Sequence, residues 1–331
     1  MIFKMSEIIP LNHIFYNNKS IFVTSISAFI TSTKEKNDEN NIMRENIIGA
    51  IINQKIPPLF YDESKEWSNM KESIKKYTNE LVNQRPYTTI ECIHKAGRKN
   101  NHDFVFDIHF EDETKESFPI ELKFNASSIE KTPQYVSPMK PSQYLYNNGV
   151  VGEDLQINDE SRCCSYEEYY YDYYLTKLSI LFELPLPQKD IWLKEIHSNT
   201  PECMKEYKKK YDQGCKKNSN FTNNEKDILC YETAKKQAKE SIVSFIKMSE
   251  LNIELLSEYL QKTQQNKIYM LYFQGEFKLQ HINMDDYFIE SVVKNPLLNR
   301  YDCMTKSGKK MKVLLRWKNG NGIAFPAFQI S

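Results

Sequence analysis

The sequence predicts an α/β protein built on a mixed β-sheet flanked by helices, with a largely helical insertion and a C-terminal β-hairpin. Three observations carry this expectation. Between Asp103 and Asn125 two apolar strands alternate with polar residues about a charged turn. An amphipathic helix and a further alternating strand precede them, from Ser64 to His94. After a long helical stretch from Tyr166 to about residue 264, strands return at Lys267 and again near the C-terminus. The 331 residues read as one domain in three parts: core helices and central strands over 40–145, the helical insertion over 146–264, and closing strands with the hairpin over 265–331.

Taken in order, Ile21 to Ile30 is apolar but interrupted by Thr and Ser, a pattern open to a strand or a buried helix. Lys34 to Asn41 is a polar break. Ile42 to Lys55 reads as a short helix stopped by Pro57-Pro58, with Glu45 in its first turn, where the helix dipole favours an acid. From Ser64 to Asn83, Trp67, Met70, Ile74, Tyr77 and Leu81 recur at the 3-4-3-4 spacing of a helix with one buried face. Glu80 flanks that stripe, and Pro86 ends the helix. Tyr87 to His94 alternates as a strand.

The next two strands have faces of different character. Phe104, Phe106, Ile108 and Phe110 share one face, as do Phe118, Ile120, Leu122 and Phe124 on the second strand, because a strand repeats every two residues. That face is continuous hydrocarbon and belongs in a core. The other gathers Asp103, Asp107, Glu121 and Lys123. Clustered carboxylates repel, and burying them costs solvation. A hard divalent cation removes both penalties, and Mg²⁺ takes oxygen ligands from one or two carboxylates.

Farther on, Tyr166 to Leu184 is a helix crowded with tyrosines, suited to partial burial or to base stacking. Lys205 to Lys217 is the most basic patch, Lys208, Lys209 and Lys210 interleaved with Tyr207 and Tyr211, which suits phosphate contact or a solvated helix face. Lys267–Phe273 and Phe277–Ile282 form a hairpin about Gln274-Gly275-Glu276, the first strand completing the central sheet. Lys310–Trp317 and Ile323–Ile330 form the last hairpin. Its Asn-Gly tip carries Arg316 and Lys318, as a ribbon for a DNA groove or a cap on the core.

Composition narrows the function classes. Lys and Arg together number 44 and Asp and Glu 44, so no net charge draws the chain to nucleic acid, and a binder must segregate its cations. Seven cysteines with no CxxC spacing exclude a zinc module and fit reduced thiols in an intracellular protein of cytoplasm or nucleus. The apolar run at 21–30 is too short to cross a membrane, and no signal-peptide pattern is present. Walker, GxGxxG, HExxH and GxSxG motifs are all absent.

Asp103 at the head of its strand and Glu121-Leu122-Lys123 on the next strand resemble the motif of the PD-(D/E)xK nuclease superfamily, the fold of many restriction endonucleases. His102 stands where that motif often has Pro. The helix–strand–strand–strand order of residues 64–125 is the opening order of that fold. The resemblance implies a restriction-endonuclease-like domain and a metal-dependent endonuclease that hydrolyses DNA phosphodiester bonds. It implies Asp103, Glu121 and the Leu122 carbonyl as ligands of Mg²⁺ or Mn²⁺. Lys123 would orient the attacking water, and products would carry 5′-phosphate and 3′-hydroxyl ends. Asp107 competes with Asp103, which is preferred because the motif's Asp opens its strand. Glu45 and Glu80 are candidates for the helix carboxylate that members often add, and Gln134 for a Gln after the lysine. Arg98 and Lys99, in the turn before Asp103, join Lys208, Lys209, Lys210, Arg316 and Lys318 as candidate DNA contacts. Double-strand cleavage would favour a two-fold homodimer. The alternatives are an RNA endonuclease with the same site and a non-catalytic DNA- or protein-binding module.

Overall fold

A computed structural model describes residues 13–30, 36–95, 100, 102–129, 140–147 and 164–330. Arg98, Lys99 and Gln134 lie outside them. In chain order the elements are β1 (His13–Tyr16), β2 (Lys19–Phe22), α1 (Asn37–Ile52), α2 (Pro58–Glu63), α3 (Lys65–Leu81), β3 (Tyr87–His94), β4 (Phe104–Phe110) and β5 (Lys115–Phe124). There follow β6 (Leu145–Asn147), α4 (Tyr166–Tyr170), a π-helical turn (Tyr171–Leu175), α5 (Thr176–Phe182), α6 (Lys189–Glu195), α7 (Lys205–Gln213), α8 (Glu225–Met248), β7 (Ser249–Leu251) and α9 (Ile253–Gln264). The chain ends with β8 (Ile268–Phe273), β9 (Glu276–His281), β10 (Ile289–Asn295), β11 (Arg300–Thr305), β12 (Lys310–Trp317) and β13 (Pro326–Ile330). It is a mixed α/β protein, and among the described residues no helix is long and apolar enough to cross a membrane. Cys92, Cys203, Cys215, Cys230 and Cys303 are free.

The chain forms two compact units, not the single domain expected: Met1–Thr132 with Gln264–Ile282, and Pro133–Thr263 with Asn283–Ser331. The expected closing segment 265–331 is therefore divided. Only β8 and β9 join the first sheet, because Ile282 is followed by strands that pair among themselves.

Unit 1 is organised by a five-stranded mixed sheet in the order β3-β4-β5-β8-β9, antiparallel except for the parallel pair β5–β8. The alternation of the central hairpin is realised. Phe104, Phe106, Ile108 and Ile120 are fully buried in one core with Ile47, Ile48 and Ile51 of α1 and the Trp67, Met70, Ile74, Tyr77 and Leu81 stripe of α3. On β8 the parity also holds. Met270 enters that core, while Tyr269 and Leu271 join a smaller cluster with Ala126 and Ile129. Helix α1 begins at Asn37, five residues before its expected start, so the polar break is partly helical. Its C-cap Asn53 completes the sheet edge: its Oδ1 accepts from the Cys92 N–H at 2.7 Å and its Nδ2 donates to the Cys92 carbonyl at 2.9 Å. A side-chain amide thus takes the place of a neighbouring strand on β3.

Unit 2 carries a four-stranded antiparallel sheet, β10-β11-β12-β13. The expected hairpin is its β12–β13 edge, and β10 and β11 are additional. Tyr166 and Tyr170 are fully buried. The Tyr166 hydroxyl lies 3.0 Å from Ser241 Oγ and accepts from Trp317 Nε1 at 3.0 Å. This part of the tyrosine-rich helix is core and not a stacking platform.

Candidate functional site

The site of unit 1 forms where β4 begins beside β5. The Asp103 N–H donates to the Ile120 carbonyl at 3.0 Å, and its own carbonyl accepts from the Lys95 N–H at 2.9 Å, so both main-chain groups are tied into the sheet. The side chain turns back onto β5, where Oδ2 accepts the Leu122 N–H at 2.8 Å. Two residues apart on β5, Glu121 and Lys123 leave the strand together. Lys123 Nζ stands 2.6 Å from Glu121 Oε1. Helix α1 brings Glu45 to the same place. Asn37, Asn41, Glu45, Asp103, Glu121 and Lys123 line a cleft of about 270 Å³.

Its electrostatics follow from crowding acids in a half-buried space. Burial, then the charges of Asp103 and Glu121, push Glu45 up to about 7. Burial and Glu121 raise Asp103 to about 6, against the opposing pull of the Leu122 N–H, Lys123 and Lys267. Lys267, just before β8, carries no signal of a role in the sequence. It is 8% exposed, with Nζ 3.6 Å from Glu121 Oε2. Burial lowers its pKa, with Lys123 adding to the shift and Glu121 opposing it. The parallel register, which sets Ile120 beside Ile268, brings it here. Glu121 therefore faces a lysine with each of its oxygens.

Arg44, next to Glu45, is completely buried behind the cleft wall. It donates to the Ala28 carbonyl at 2.7 Å, to Asn37 Oδ1 at 3.2 Å and to Asn41 Oδ1 at 2.5 Å, and its guanidinium lies 3.4 Å from the centre of the Phe124 ring. The asparagines at the head of α1 are thus held by a cation from below. His94 hydrogen-bonds the Glu45 main chain. Gly49 leaves room for this packing, since a Cβ there would lie 2.7 Å from His94 Nε2.

Of the residues singled out in the sequence, Asp103, Glu121, Leu122, Lys123 and Glu45 converge. Glu45 lies in mid-helix, so the dipole of the first turn does not account for it. Asp107 does not converge: it pairs across the hairpin with Ser117, takes a 2.6 Å hydrogen bond from Ser117 Oγ and lies 2.6 Å from Lys115 Nζ. Those partners hold its carboxyl below the usual range. Glu80 is exposed on α3 and does not line the cleft. Among the described residues no group of three or more His, Cys, Asp or Glu side chains is drawn together in the way a bound ion needs.

The basic residues of unit 2 are placed differently from a groove-entering ribbon. The tip between β12 and β13 is folded down, with the Phe325 N–H donating to the Ile196 carbonyl at 2.8 Å. Trp317 is only 5% exposed. Lys208, Arg316 and Lys318 line one cleft of about 710 Å³. Lys209 is exposed, and Lys210 is turned to the Phe182 carbonyl at the end of α5. Compared with protein-family models, with curated proteins and with solved structures, the chain matches none of them.

Proposed function

We propose that unit 1 is a restriction-endonuclease-like domain and a Mg²⁺-dependent endodeoxyribonuclease. The observation that carries the reading is the convergence of Glu45, Asp103 and Glu121 with Lys123 on one cleft, where β4 begins beside the C-terminal half of β5. A structural surface has no need to crowd carboxylates until two of them titrate near 6 and 7. The donor types are those a hard divalent cation takes, and added positive charge would offset the burial and repulsion that hold Glu45 and Asp103 high. Asp103, Glu121 and the Leu122 carbonyl would hold it, with Mn²⁺ as a substitute. Binding there competes with the Glu121–Lys123 ion pair. When bound, such an ion lowers the pKa of water and neutralises charge on the scissile phosphate.

The chain's own groups do the rest. Lys123 offsets the acids and presents ammonium donors to the attacking water. Glu45, on the same lining as Asp103 and Glu121, is placed to take the proton that water loses. The water oxygen bonds to phosphorus, the P–O3′ bond breaks, and the leaving oxygen takes a proton. The products then carry a 5′-phosphate and a 3′-hydroxyl.

Supercoiled plasmid tests the reading directly, with wild type, Asp103→Ala and Lys123→Ala in Mg²⁺, Mn²⁺ or EDTA. Metal-dependent nicking by wild type, lost in both variants, is the expected result. Equal cleavage by the variants, or none by wild type in any ion, overturns it.

A further inference from the structure

The cleft of unit 2 is larger than the acidic one and of opposite sign. Three cations, Lys208, Arg316 and Lys318, meet one acid, Asp212, on its lining. Lys208 Nζ bridges both oxygens of Asp212 at 2.5 Å, so that pair is satisfied within the lining, and Arg316 is the cation presented from β12. Arg316 is exposed and donates from Nη1 to Gln329 Oε1 at 2.7 Å, leaving the rest of its fork for a ligand.

The same lining carries amides held in place. Asn321 donates its main-chain N–H at 3.3 Å and its side-chain amide at 2.8 Å to the Tyr211 hydroxyl. Asn319 donates to the Asn199 carbonyl at 3.2 Å and to Asn199 Oδ1 at 2.9 Å. Asn319 Nδ2 makes two of these bonds and Asn321 Nδ2 one, so the two side chains offer the cleft their oxygens as acceptors and the second Asn321 amide hydrogen as a donor. The loop that presents them is itself constrained. Gly320 has φ +126° and Gly322 φ +74°, and a Cβ on Gly322 would lie 1.9 Å from the Tyr170 hydroxyl.

We infer that this cleft binds a nucleotide, its phosphate against Arg316 and its base edge against the asparagines, whether the nucleotide is free or carried in a strand. The volume of about 710 Å³ is in the range of small-molecule sites. A bare anion would engage the cations alone. The wall of fixed acceptors and donors calls for a ligand with hydrogen-bonding groups of its own, which a base edge supplies. The inference stands on unit 2 and does not depend on hydrolysis at unit 1.

Two probes read the two sources, both in EDTA. Calorimetry uses the four 2′-deoxynucleoside 5′-monophosphates, and fluorescence anisotropy uses a labelled single-stranded oligodeoxynucleotide. Arg316→Ala should weaken whichever binds about tenfold. Asn319→Ala combined with Asn321→Ala should weaken it about tenfold and unevenly across the bases. Lys312→Ala, an exposed cation on the same strand outside the cleft, should leave affinity unchanged. Binding of mononucleotides identifies a free ligand, and binding of the oligonucleotide alone identifies a strand. No binding of either probe, unchanged affinity in Arg316→Ala, or equal competition by inorganic phosphate or deoxyribose 5-phosphate overturns the assignment. A chain that binds nucleotide through Arg316 yet never nicks plasmid would keep this site and lose only the hydrolytic reading.

Discussion

In unit 1 the cleft gathers Glu45, Asp103 and Glu121 around Lys123; in unit 2 the larger cleft gathers Lys208, Arg316 and Lys318 around the single acid Asp212. The first is built on strands. Its acids are fixed by sheet register and by a helix packed on the same core, and burial, then crowding, raises two of them. The second is built largely on a loop, held by side chains distant in sequence, with Asn319 on Asn199 and Asn321 on Tyr211. A site on paired strands keeps its geometry as long as the sheet does. A site on a loop depends on cross-braces that can be removed one at a time.

The largest expected effect separates charge from ligation in the first cleft. Lys123→Ala should slow plasmid nicking on the order of 1,000-fold, since it removes a charged donor beside the reacting groups. Because lysine supplies no oxygen ligand, calorimetry should still detect Mg²⁺ or Mn²⁺ binding in this variant. Nicking at the wild-type rate would show that the cleft is not where the chemistry happens.

The corresponding break in unit 2 is Gly322→Ala. The added methyl meets the Tyr170 hydroxyl at 1.9 Å and sits on a residue with φ +74°. Overpacking and left-handed backbone together should cost about 3 kcal/mol in urea unfolding. The same variant should lose nucleotide binding. Wild-type stability would mean that the loop moves freely and that its asparagines are not fixed.

How much of each cleft is legible in the sequence follows from the same contrast. The strand-borne acids fall within about twenty residues, and a period of two puts them on one side, so Asp103, Glu121 and Lys123 group together on spacing alone. The stripe of α3 is legible for the same reason at helical spacing. The start of α1 is hidden because Asn37 and Asn41 look like loop residues. Their polarity answers to Arg44 and the cleft, not to solvent. Lys267 escapes a local reading because only the β5–β8 register carries it to Glu121. Strands β10 and β11 escape it because they mix exposed apolar residues such as Val293 with buried Cys303 and Thr305, which blurs the alternation. The pairings of the second cleft span 110 and 120 residues, beyond any local pattern. The division into two units is hidden likewise, because the chain passes between them three times.

A smaller effect tests whether Glu45 is buried among acids as described. In the folded chain Glu45 titrates near 7, above its ordinary value of 4.5. The fold therefore favours its protonated form. That contribution is fully present below the unfolded value and is lost as pH rises through about 7. Glu45→Gln removes the dependence. In EDTA, the melting temperature of the variant minus that of wild type should become more positive from pH 5 to pH 8. Divalent cation should shrink the difference at pH 8 by stabilising wild type. A flat difference across that interval would mean that burial and the neighbouring acids do not hold Glu45 high.

The smallest effect decides between two carboxylates that the strand pattern cannot separate. Asp103 and Asp107 are four residues apart, so they share a side of the strand at roughly 13 Å spacing. The register separates them. Asp103 accepts the Leu122 N–H beside the Glu121–Lys123 pair, whereas Asp107 is occupied by Ser117 and Lys115 at the other end of the hairpin. Asp107→Asn should therefore leave nicking at the wild-type rate. It should lower stability by only about 1 kcal/mol, because Lys115 is largely solvated and one hydroxyl bond is weakened. The sign with pH is opposite to that of Glu45. The Asp107 carboxyl is held below its ordinary value, so its contribution is present above that value and is lost as pH falls. Urea unfolding of wild type and Asp107→Asn at pH 7 and pH 3 should show the gap closing at the lower pH. A loss of nicking in Asp107→Asn comparable with that in Asp103→Ala would move the acid site to the far end of the hairpin, and Glu45 would then have no part in it.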